Sequence, residues 1–390
     1  MTSPIYLDHN ATTPMLPEVA DAIREAALEY PANPGSQHEP GRQARRALEA
    51  ARQRVGELLG ARTSGLNGDR VIFTSGGTEA ANLVLFGLLG APQTGHQQPS
   101  GSLPTHLITT KIEHPCILAA AAQLPHCEVT QLDVDSHGVV RIEQLQQQLT
   151  PHTKLVSVML ANNETGVLQP VGEIAALCAD QGIAVHTDAA QVVGKLPVDF
   201  GGLNVSALSC AAHKFSGPLG IGALIVGHDL PLQPTLFGGH QQAGLRPGTE
   251  TVALAIGMAT ALECWHREAA TQVERIGQLR DRFEQTLTAE LAFVQVIGGG
   301  AARLPNTSNL AFVGQNRQAL LMALDQAGIA CSSGSACASG SSQPSPVLLA
   351  MGLNQDVLDG SIRFSMGSTT TADEIATSCR RILSVCQRLR

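Results

Sequence analysis

Residues 209–227 read SCAAHKFSGPLGIGALIVG, a stretch in which Lys214 lies between two apolar runs. The runs, 207–210 and 223–226, have the length and composition of buried strands, and the glycines between them predict a tight turn. A lysine is almost always solvated, so one held between buried strands needs a reason. Two interpretations stay open: a surface lysine on a loop, or a lysine whose amine, tuned by burial, forms a Schiff base with an aldehyde.

Short apolar strands alternate with helices on both sides of this stretch. The alternation predicts an α/β fold, with a mostly parallel central sheet flanked by helices on both faces. The strands are expected over 71–75, 106–110, 128–132, 155–160, 184–187, 207–210 and 223–226, and the helices over 17–30, 41–59, 78–89, 114–123, 142–149 and 171–181.

A long amphipathic helix over 255–291 precedes a shorter α+β remainder. We place the domain boundary inside this helix, with a large domain over 15–259 and a small domain formed by 1–14 and 260–390. Residues 91–105 are rich in Pro, Gly, Gln and Ser and are expected to form a loop.

A carboxylate follows one of the predicted strands. The sequence HTDAAQ (186–191) places Asp188 just past strand 184–187. Ligands bind at the carboxyl ends of parallel strands, where Asp188 could pair with a protonated pyridine nitrogen. It could equally cap the next helix, and both interpretations stay open.

The segment TSGGTEAAN (74–82) combines a strand end, a glycine pair and a helix start. Backbone N–H groups at a helix N-terminus, with the Thr78 hydroxyl beside them, can cradle a phosphate. The alternative is a plain turn. A Walker-type loop is excluded, because no Lys-Ser/Thr pair follows the glycines.

A Ser/Gly-rich segment near the C-terminus, ACSSGSACASGSS (330–342), carries two cysteines. This composition is typical of a mobile loop, and a thiol within it can travel. The six-residue spacing of Cys331 and Cys337 does not match a C-x-x-C redox or zinc pair. We interpret Cys331 as structural and Cys337 as reactive.

The composition and charge argue against several classes of protein. The 390 residues carry a net charge of −8 and are 43% hydrophobic, enough for a large core. The acidic balance and the lack of a Lys/Arg run argue against nucleic acid or an anionic membrane as partner. No apolar run approaches the ~18 residues of a membrane helix, and the N-terminus does not resemble a signal peptide.

The cysteines and histidines indicate a reducing compartment and argue against a metal site. Nine scattered cysteines are typical of a reducing compartment, and we expect the cytoplasm. The 13 histidines include no H-E-x-x-H pattern, so no metal site is expected.

With these residues in hand, the chain resembles the group I (NifS/IscS-like) cysteine desulfurases, pyridoxal phosphate (PLP) enzymes of the class V aminotransferase group and fold type I. The signature SSGSAC of that group stands here at 332–337, and the similarity extends from 6–14 to 361–367. Further matching segments are TSGGTEAAN (74–82), KIEHPCIL (111–118), NNETG (162–166), HTDAAQVVGK (186–195), AHKFSGPLG (212–220) and RPGTE (246–250).

The resemblance implies a role for each matching position. Lys214 would bind PLP as a Schiff base, His114 would stack on its ring, Asp188 would pair with the ring nitrogen, and Gln191 would reach the phenolic oxygen. Phosphate ligands would be Gly77, Thr78 and His213, with Thr249 arriving from the second subunit of a homodimer. Asn162 and Arg363 would hold the substrate carboxylate, and Asn10 and Asn33 would lie at the substrate mouth.

The implied reaction is removal of sulfur from L-cysteine, with Lys214 moving the α-proton and Cys337 receiving the sulfur as a persulfide. The products would be L-alanine and a sulfur passed to an acceptor protein for iron–sulfur cluster or other thio-cofactor synthesis. A selenocysteine lyase, another class V aminotransferase-like enzyme and a non-catalytic sulfur-carrier scaffold are the alternatives. One departure stands out: Ala211 replaces the Ser or Thr that the family usually has three residues before the lysine.

Overall fold

The computed structural model describes residues 4–90, 104–334 and 344–389. Within these ranges, every helix is too short or too polar to span a lipid bilayer. The strands are β1 (Ile5–Tyr6), β2 (Arg70–Thr74), β3 (Thr105–Thr110), β4 (Cys127–Leu132), β5 (Thr153–Ser157), β6 (Ala184–Asp188), β7 (Ala207–Ala211), β8 (Gly222–Val226), β9 (Val294–Ile297), β10 (Thr307–Phe312), β11 (Ile329–Ala330) and β12 (Ser361–Ser365). The helices are α1 (Pro17–Glu29), α2 (Glu39–Leu58), α3 (Gly77–Leu89), α4 (Pro115–Ala121), α5 (Ile142–Gln148), α6 (Val171–Ala179), α7 (Phe200–Leu203), α8 (Val252–Glu290), α9 (Arg317–Gln326), α10 (Pro346–Ala350), α11 (Gln355–Asp359) and α12 (Ala372–Arg388).

A seven-stranded sheet forms the centre of the molecule, in the order β2-β8-β7-β6-β5-β3-β4. The pairs from β4 across to β7 are parallel, and β8 is antiparallel to both of its neighbours. All residues of β7 and β8 are buried, which explains their continuous apolar sequence. The predicted α/β class is confirmed, and each predicted strand appears within a few residues of its expected bounds.

A second, antiparallel sheet has the order β12-β10-β9. The N-terminal strand β1 pairs in parallel with β11, through Ile5 with Ile329 and Tyr6 with Ala330. The first residues of the chain therefore lie against its C-terminal part, because this pairing supplies the backbone partners that a two-residue strand cannot find alone.

Helix α8 connects two hydrophobic cores. Its first half contributes Met258 and Leu262 to the core beneath the large sheet, and its second half contributes Phe283 and Leu287 to a core that also contains Leu7. We therefore propose the division into 15–259 and 1–14 plus 260–390 as two structural units. Helices α10 and α11 cross this division, since their buried side chains join the first core.

Candidate active site

The carboxyl edge of the large sheet borders a cavity of about 260 Å³, which we call the inner cavity. Strand β6 ends there at Asp188, β7 continues into a 3-10 turn over Ala212–Lys214, and β2 leads through Gly76 into α3. The carboxyl ends of parallel strands lie at one edge of a sheet, so these segments converge. The predicted site residues that line the inner cavity are Asn10, Gly77, Thr78, His114, Asp188, Gln191, His213, Lys214 and Arg363.

Lys214 is half-buried rather than on an open surface loop. Its Nζ donates hydrogen bonds to the carbonyl oxygens of Asn10, at 2.6 Å, and Ala11, at 2.9 Å. These carbonyls come from the loop after β1 and orient the amine without neutralising it. The arrangement therefore supports the interpretation of Lys214 as a functional amine.

Asp188 and His114 are electrostatically linked across the inner cavity. Burial raises the pKa of the Asp188 carboxyl, opposed by the N–H of Ala190 and by the nearby His114 and Lys214. Burial also lowers the pKa of His114, which favours a neutral ring. The His114 Nδ1 accepts the N–H of Cys116 at 3.2 Å, so the proton of the neutral ring resides on Nε2.

The N-terminus of α3 lies on the same cavity without a capping side chain. Its N-cap, Gly76, has φ 157°, in a region that only glycine adopts readily. A Cβ on Gly222 would lie 2.8 Å from the Gly76 Cα, so glycine is required for this close approach. Ala211 lines the cavity beside Gly77 and offers no hydroxyl there. The free N–H groups of this helix end suit an anion.

The side chain of Gln191 is held from two directions. Its Nε2 donates to the carbonyl oxygen of Asn10 at 3.0 Å, and its Oε1 accepts a hydrogen bond from Lys195 at 2.6 Å. His213 is held by Thr12, and burial together with two nearby lysines lowers its pKa to about 4. His213 is therefore neutral and can donate one hydrogen bond.

Arg363 is only 1% exposed and comes from β12, at the rim between the two sheets. It donates to Asp8 at 2.7 Å and to the carbonyl oxygen of Asn163 at 3.1 Å, while its buried Nε has no partner among the described residues. Asp8 is a partner that our sequence analysis missed, although it lies in the matching segment 6–14. A buried guanidinium with an unsatisfied donor is suited to a carboxylate ligand.

Asn162 occupies a different place from the one expected. Its Oδ1 accepts the N–H groups of Glu164 and Thr165, and its Nδ2 donates to the carbonyl oxygen of Ile112. These bonds close the NNETG turn, and the residue that lines the inner cavity is its neighbour Asn163. Two consecutive asparagines gave no signal for choosing between them, because only the turn decides which one reaches the cavity.

Asn33 and Thr249 do not line the inner cavity. They share a separate cavity of about 400 Å³ with Tyr30, Pro34 and Glu250, which we call the outer pocket. The Oδ1 of Asn33 accepts the N–H of Gly35 at 2.8 Å, so this side chain stabilises its own turn. The structure thus brings nine of the predicted binding residues together and leaves these two elsewhere.

Cys337 lies outside the described residues, but both flanks of its segment are described. Ser332 exchanges two backbone hydrogen bonds with Arg363, at 3.1 and 2.7 Å, so the SSGSAC motif starts beside the inner cavity. On the other flank, the Ser345 hydroxyl donates to the buried Glu164 at 2.6 Å. Cys331 packs against the second core, and burial raises the pKa of its thiol, which disfavours the reactive thiolate.

The residues of the inner cavity fit PLP group by group. An amine faces the cavity where an aldehyde would bind, a buried carboxyl can pair with a pyridine nitrogen, and an uncapped helix end can hold a phosphate. Arg363 retains a free donor for the carboxylate of an amino acid substrate. Fold and cavity together define a PLP-dependent enzyme with a lysine anchor.

Comparisons with known proteins agree with this class. The family model "Aminotransferase class-V" matches residues 5–377. A cysteine desulfurase from Nostoc sp. is 42% identical over 100% of this chain and 94% of its own length. An IscS-like cysteine desulfurase from Mycobacterium tuberculosis is 39% identical, covering 99% of this chain and 97% of its own.

Solved structures give the same result. A NifS-like protein aligns with a TM-score of 0.89 and 31% identity, covering 99% of this chain and 100% of its own. A structure described as SspA in complex with cysteine aligns with a TM-score of 0.79 and 31% identity, covering 94% of this chain and 99% of its own.

The chain therefore belongs to the class-V aminotransferase family and, within it, to the cysteine desulfurases. The predictions of a PLP-dependent enzyme and of cysteine desulfurase activity are confirmed. The relatives give no support to the selenocysteine lyase, the other aminotransferase-like enzymes or the non-catalytic scaffold.

Proposed function

We propose that this enzyme takes sulfur from L-cysteine in the inner cavity and leaves it as a persulfide on Cys337, with L-alanine as the other product. The observation that carries the proposal is the convergence of Lys214, Asp188 and the uncapped start of α3 on one cavity. The bound PLP supplies an electron sink for the bonds around the substrate Cα.

The cofactor would be held at its two ends and its ring. Lys214 binds the aldehyde carbon, Asp188 pairs with the ring nitrogen, and the N–H groups at Gly77 and Thr78 receive the phosphate. Neutral His213 adds one donor. Ala211 has no hydroxyl, so the phosphate receives one hydrogen bond fewer than it would from Ser or Thr at this position. The net contribution of such a bond is roughly 0.5–1.5 kcal/mol.

Proton movement falls to Lys214 and His114. With substrate bound, the Nζ of Lys214 would take the proton from the substrate Cα, since the carbonyls of Asn10 and Ala11 keep the amine at the cavity. His114 is neutral with its proton on Nε2, so it can donate a proton or stack on the ring without adding a charge.

The substrate carboxylate would bind to Arg363. This guanidinium is already fixed by Asp8 and by the Asn163 carbonyl, and its free Nε offers a further donor. Asn163, rather than Asn162, is the amide we assign beside it. A preorganised arginine loses little side-chain entropy on binding, which favours a well-defined substrate orientation.

The sulfur step is a nucleophilic attack by the Cys337 thiolate on the substrate sulfur. The Cys337 sulfur would form an S–S bond with the substrate sulfur as the substrate Cβ–S bond breaks, and protonation of the carbon that keeps the electron pair would yield alanine. The net change is L-cysteine plus a thiol giving L-alanine plus a persulfide, which needs no external oxidant. The thiolate form is required, since the thiol is a poor nucleophile.

A homodimer would complete the site. Thr249 lines the outer pocket and not the inner cavity of its own chain, which supports its donation to a neighbouring subunit. The large exposed side chains of Phe237, 90% exposed, and Leu219, 69% exposed, suit a covering partner.

The acceptor of the persulfide sulfur would be a protein of iron–sulfur cluster or other thio-cofactor assembly, acting in the cytoplasm. The support is the resemblance to NifS/IscS-like enzymes together with the nine cysteines scattered along the sequence.

The deciding experiment is detection of a persulfide on Cys337. The holoenzyme is incubated with L-cysteine, and alanine and the mass of the Cys337 peptide are measured with and without candidate acceptor proteins. We expect one added sulfur atom on Cys337 and its loss to a competent acceptor. Alanine release without any modification of Cys337 would contradict the proposed sulfur path.

A further inference from the structure

Lys195 is a buried basic residue whose location needs a reason. It lies on the turn after β6 and is only 8% exposed. Lysine is almost never buried to this extent unless it is paired with a negative charge. None of the ion pairs in the described part of the chain includes Lys195.

The charged groups that face Lys195 are themselves basic. Lys214 and Arg363 are close enough to lower its pKa, in addition to the effect of burial. Lys195 in turn contributes to the low pKa of two histidines, His9 and His213. A buried amine among other cations costs free energy, so its retention points to a specific contact.

That contact is with Gln191. The Lys195 Nζ donates to the Gln191 Oε1 at 2.6 Å, and the Gln191 Nε2 donates to the Asn10 carbonyl at 3.0 Å. The same carbonyl accepts from Lys214. The Asn10 carbonyl can only accept, which places the Gln191 nitrogen toward Asn10 and its oxygen toward the Lys195 amine, so the two contacts together fix the orientation of the amide. The nitrogen then keeps one N–H for the inner cavity.

Within the described part of the chain, the hydrogen bond of Lys195 connects it to the inner cavity through this amide. Gln191 lines the inner cavity, whereas Lys195 lines a larger cavity of about 400 Å³ on the opposite side of Lys214, beside Trp265 and Met366. Among the predicted site residues, only Lys214 borders both cavities. Lys195 is thus placed to orient a binding residue without touching the ligand.

We propose that Lys195 is a positioning residue that fixes Gln191 as a hydrogen-bond donor to the phenolic oxygen of PLP. The inference rests on the proposed function, because it takes Gln191 to face that oxygen. A donor to the phenolic oxygen weakens the hold of that oxygen on the proton it shares with the Lys214 nitrogen. Loss of the donor should therefore raise the pH at which the bound cofactor loses this proton.

The test is a pH titration of the absorbance of the holoenzyme without substrate, which reports on the cofactor and not on turnover. Lys195→Met removes the donor to Gln191 and Gln191→Leu removes the amide. We expect each to move the titration midpoint upward by about 0.5–1 pH unit, the size of one hydrogen bond. The double variant should match Gln191→Leu alone, because Lys195 acts through Gln191.

Lys195→Arg keeps a donor and should stay near the wild-type midpoint. Additive shifts in the double variant would overturn the proposal, since Lys195 would then act as an independent charge. An unchanged midpoint in Lys195→Met would also overturn it, as would an unchanged midpoint in Gln191→Leu. Should Lys195→Met fail to bind PLP, binding of PLP by Lys195→Arg supports the proposal. Failure of both variants to bind PLP overturns it. A wild-type protein without cofactor absorbance would instead refute the proposed function itself.

Discussion

The inner cavity and the outer pocket differ in what a single chain can complete. The inner cavity collects residues from the start of α3, from β6, β7 and β12 and from the N-terminal loop, and hydrogen bonds hold several of its polar groups in place. The outer pocket holds Thr249 and Asn33, two residues that the same family motifs assign to the same active site. Under the proposed homodimer, one chain assembles most of the site and the second chain completes it.

The proposed homodimer would mean that a motif identifies a functional residue without identifying the subunit in which it acts. Residues at the carboxyl edge of one sheet meet because the strand order brings them together. Thr249 lines the outer pocket and not the inner cavity, so the proposed homodimer assigns it to the phosphate site of the neighbouring subunit.

The largest effect is expected at Lys214. Lys214→Ala should remove the covalent anchor of the cofactor and abolish alanine formation, because the α-proton loses its base. PLP should still bind through Asp188 and the start of α3. Absorbance and alanine assays of the variant test this, and near-normal turnover would contradict the assignment of Lys214.

Cys337→Ser should lower alanine formation by orders of magnitude while L-cysteine still binds. A serine hydroxyl cannot replace a thiolate at neutral pH, whereas the inner cavity remains intact. Spectral titration with L-cysteine measures binding, and alanine release measures chemistry. Cys331→Ser is the matched control and should resemble wild type, since Cys331 packs against the second core. The reverse pattern would misplace the sulfur path.

Arg363→Lys should raise the KM for L-cysteine more than it lowers kcat. Lysine keeps the charge but loses the planar fork that contacts Asp8, the Asn163 carbonyl and the substrate. Losing one charge-assisted hydrogen bond of about 1.5–3 kcal/mol corresponds to an effect of roughly 10–100-fold. Steady-state kinetics separate the two constants, and an unchanged KM would remove Arg363 from substrate binding.

Thr249→Val tests the difference between the two cavities directly. We expect PLP affinity to fall about 10-fold through loss of one phosphate hydrogen bond. Hybrid dimers of Thr249→Val and Lys214→Ala chains should contain one complete site, with Lys214 from one chain and Thr249 from the other. The affinity of that site should equal wild type. If it matches the Thr249→Val homodimer instead, Thr249 serves its own chain.

Glu113 lies behind the inner cavity and should have a smaller effect, which is a pH dependence of the free energy of unfolding. Its carboxyl accepts from Met159 and Thr110, and burial raises its pKa to about 8 from an ordinary 4.5. Between these values the folded protein keeps a proton that the unfolded chain has lost. The free energy of unfolding should therefore fall as pH rises through this window and level off above pH 8.

Glu113→Gln should remove this slope, so the variant gains stability relative to wild type as pH rises from 5 to ~8. Urea unfolding at several pH values measures the difference. Glu25→Gln, on the exposed face of α1, is the control. Equal pH profiles for wild type and Glu113→Gln would show that the Glu113 carboxyl is ionised in the fold.

Much of the fold could be read from local pattern. The apolar run that became β7 is buried throughout, as expected of a strand in a mostly parallel sheet covered on both faces. The run that became β8 is equally buried, although β8 pairs antiparallel with both of its neighbours. The 39 residues of α8 likewise carry a periodic pattern of buried positions, which predicted the helix nearly to its ends.

The choice between neighbouring residues could not be read in the same way. Asn162 and Asn163 have identical side chains, and only the closed turn commits the first to backbone N–H groups and leaves the second at the cavity. Lys195 gave no signal either, because a lysine four residues after Gln191 looks like a surface residue until the turn buries it.

The sequence by itself determined which chemistry is available: an amine at 214, a carboxyl at 188, a guanidinium at 363 and a glycine pair before α3, all at the spacing of a cysteine desulfurase. Only the tertiary structure decided the states of these groups. Burial keeps His114 neutral, the Asn10 carbonyl holds both Lys214 and Gln191, and Asp8 fixes Arg363. Side-chain type sets what a group can do, whereas its pKa and orientation depend on partners that are distant in sequence and meet only in the fold.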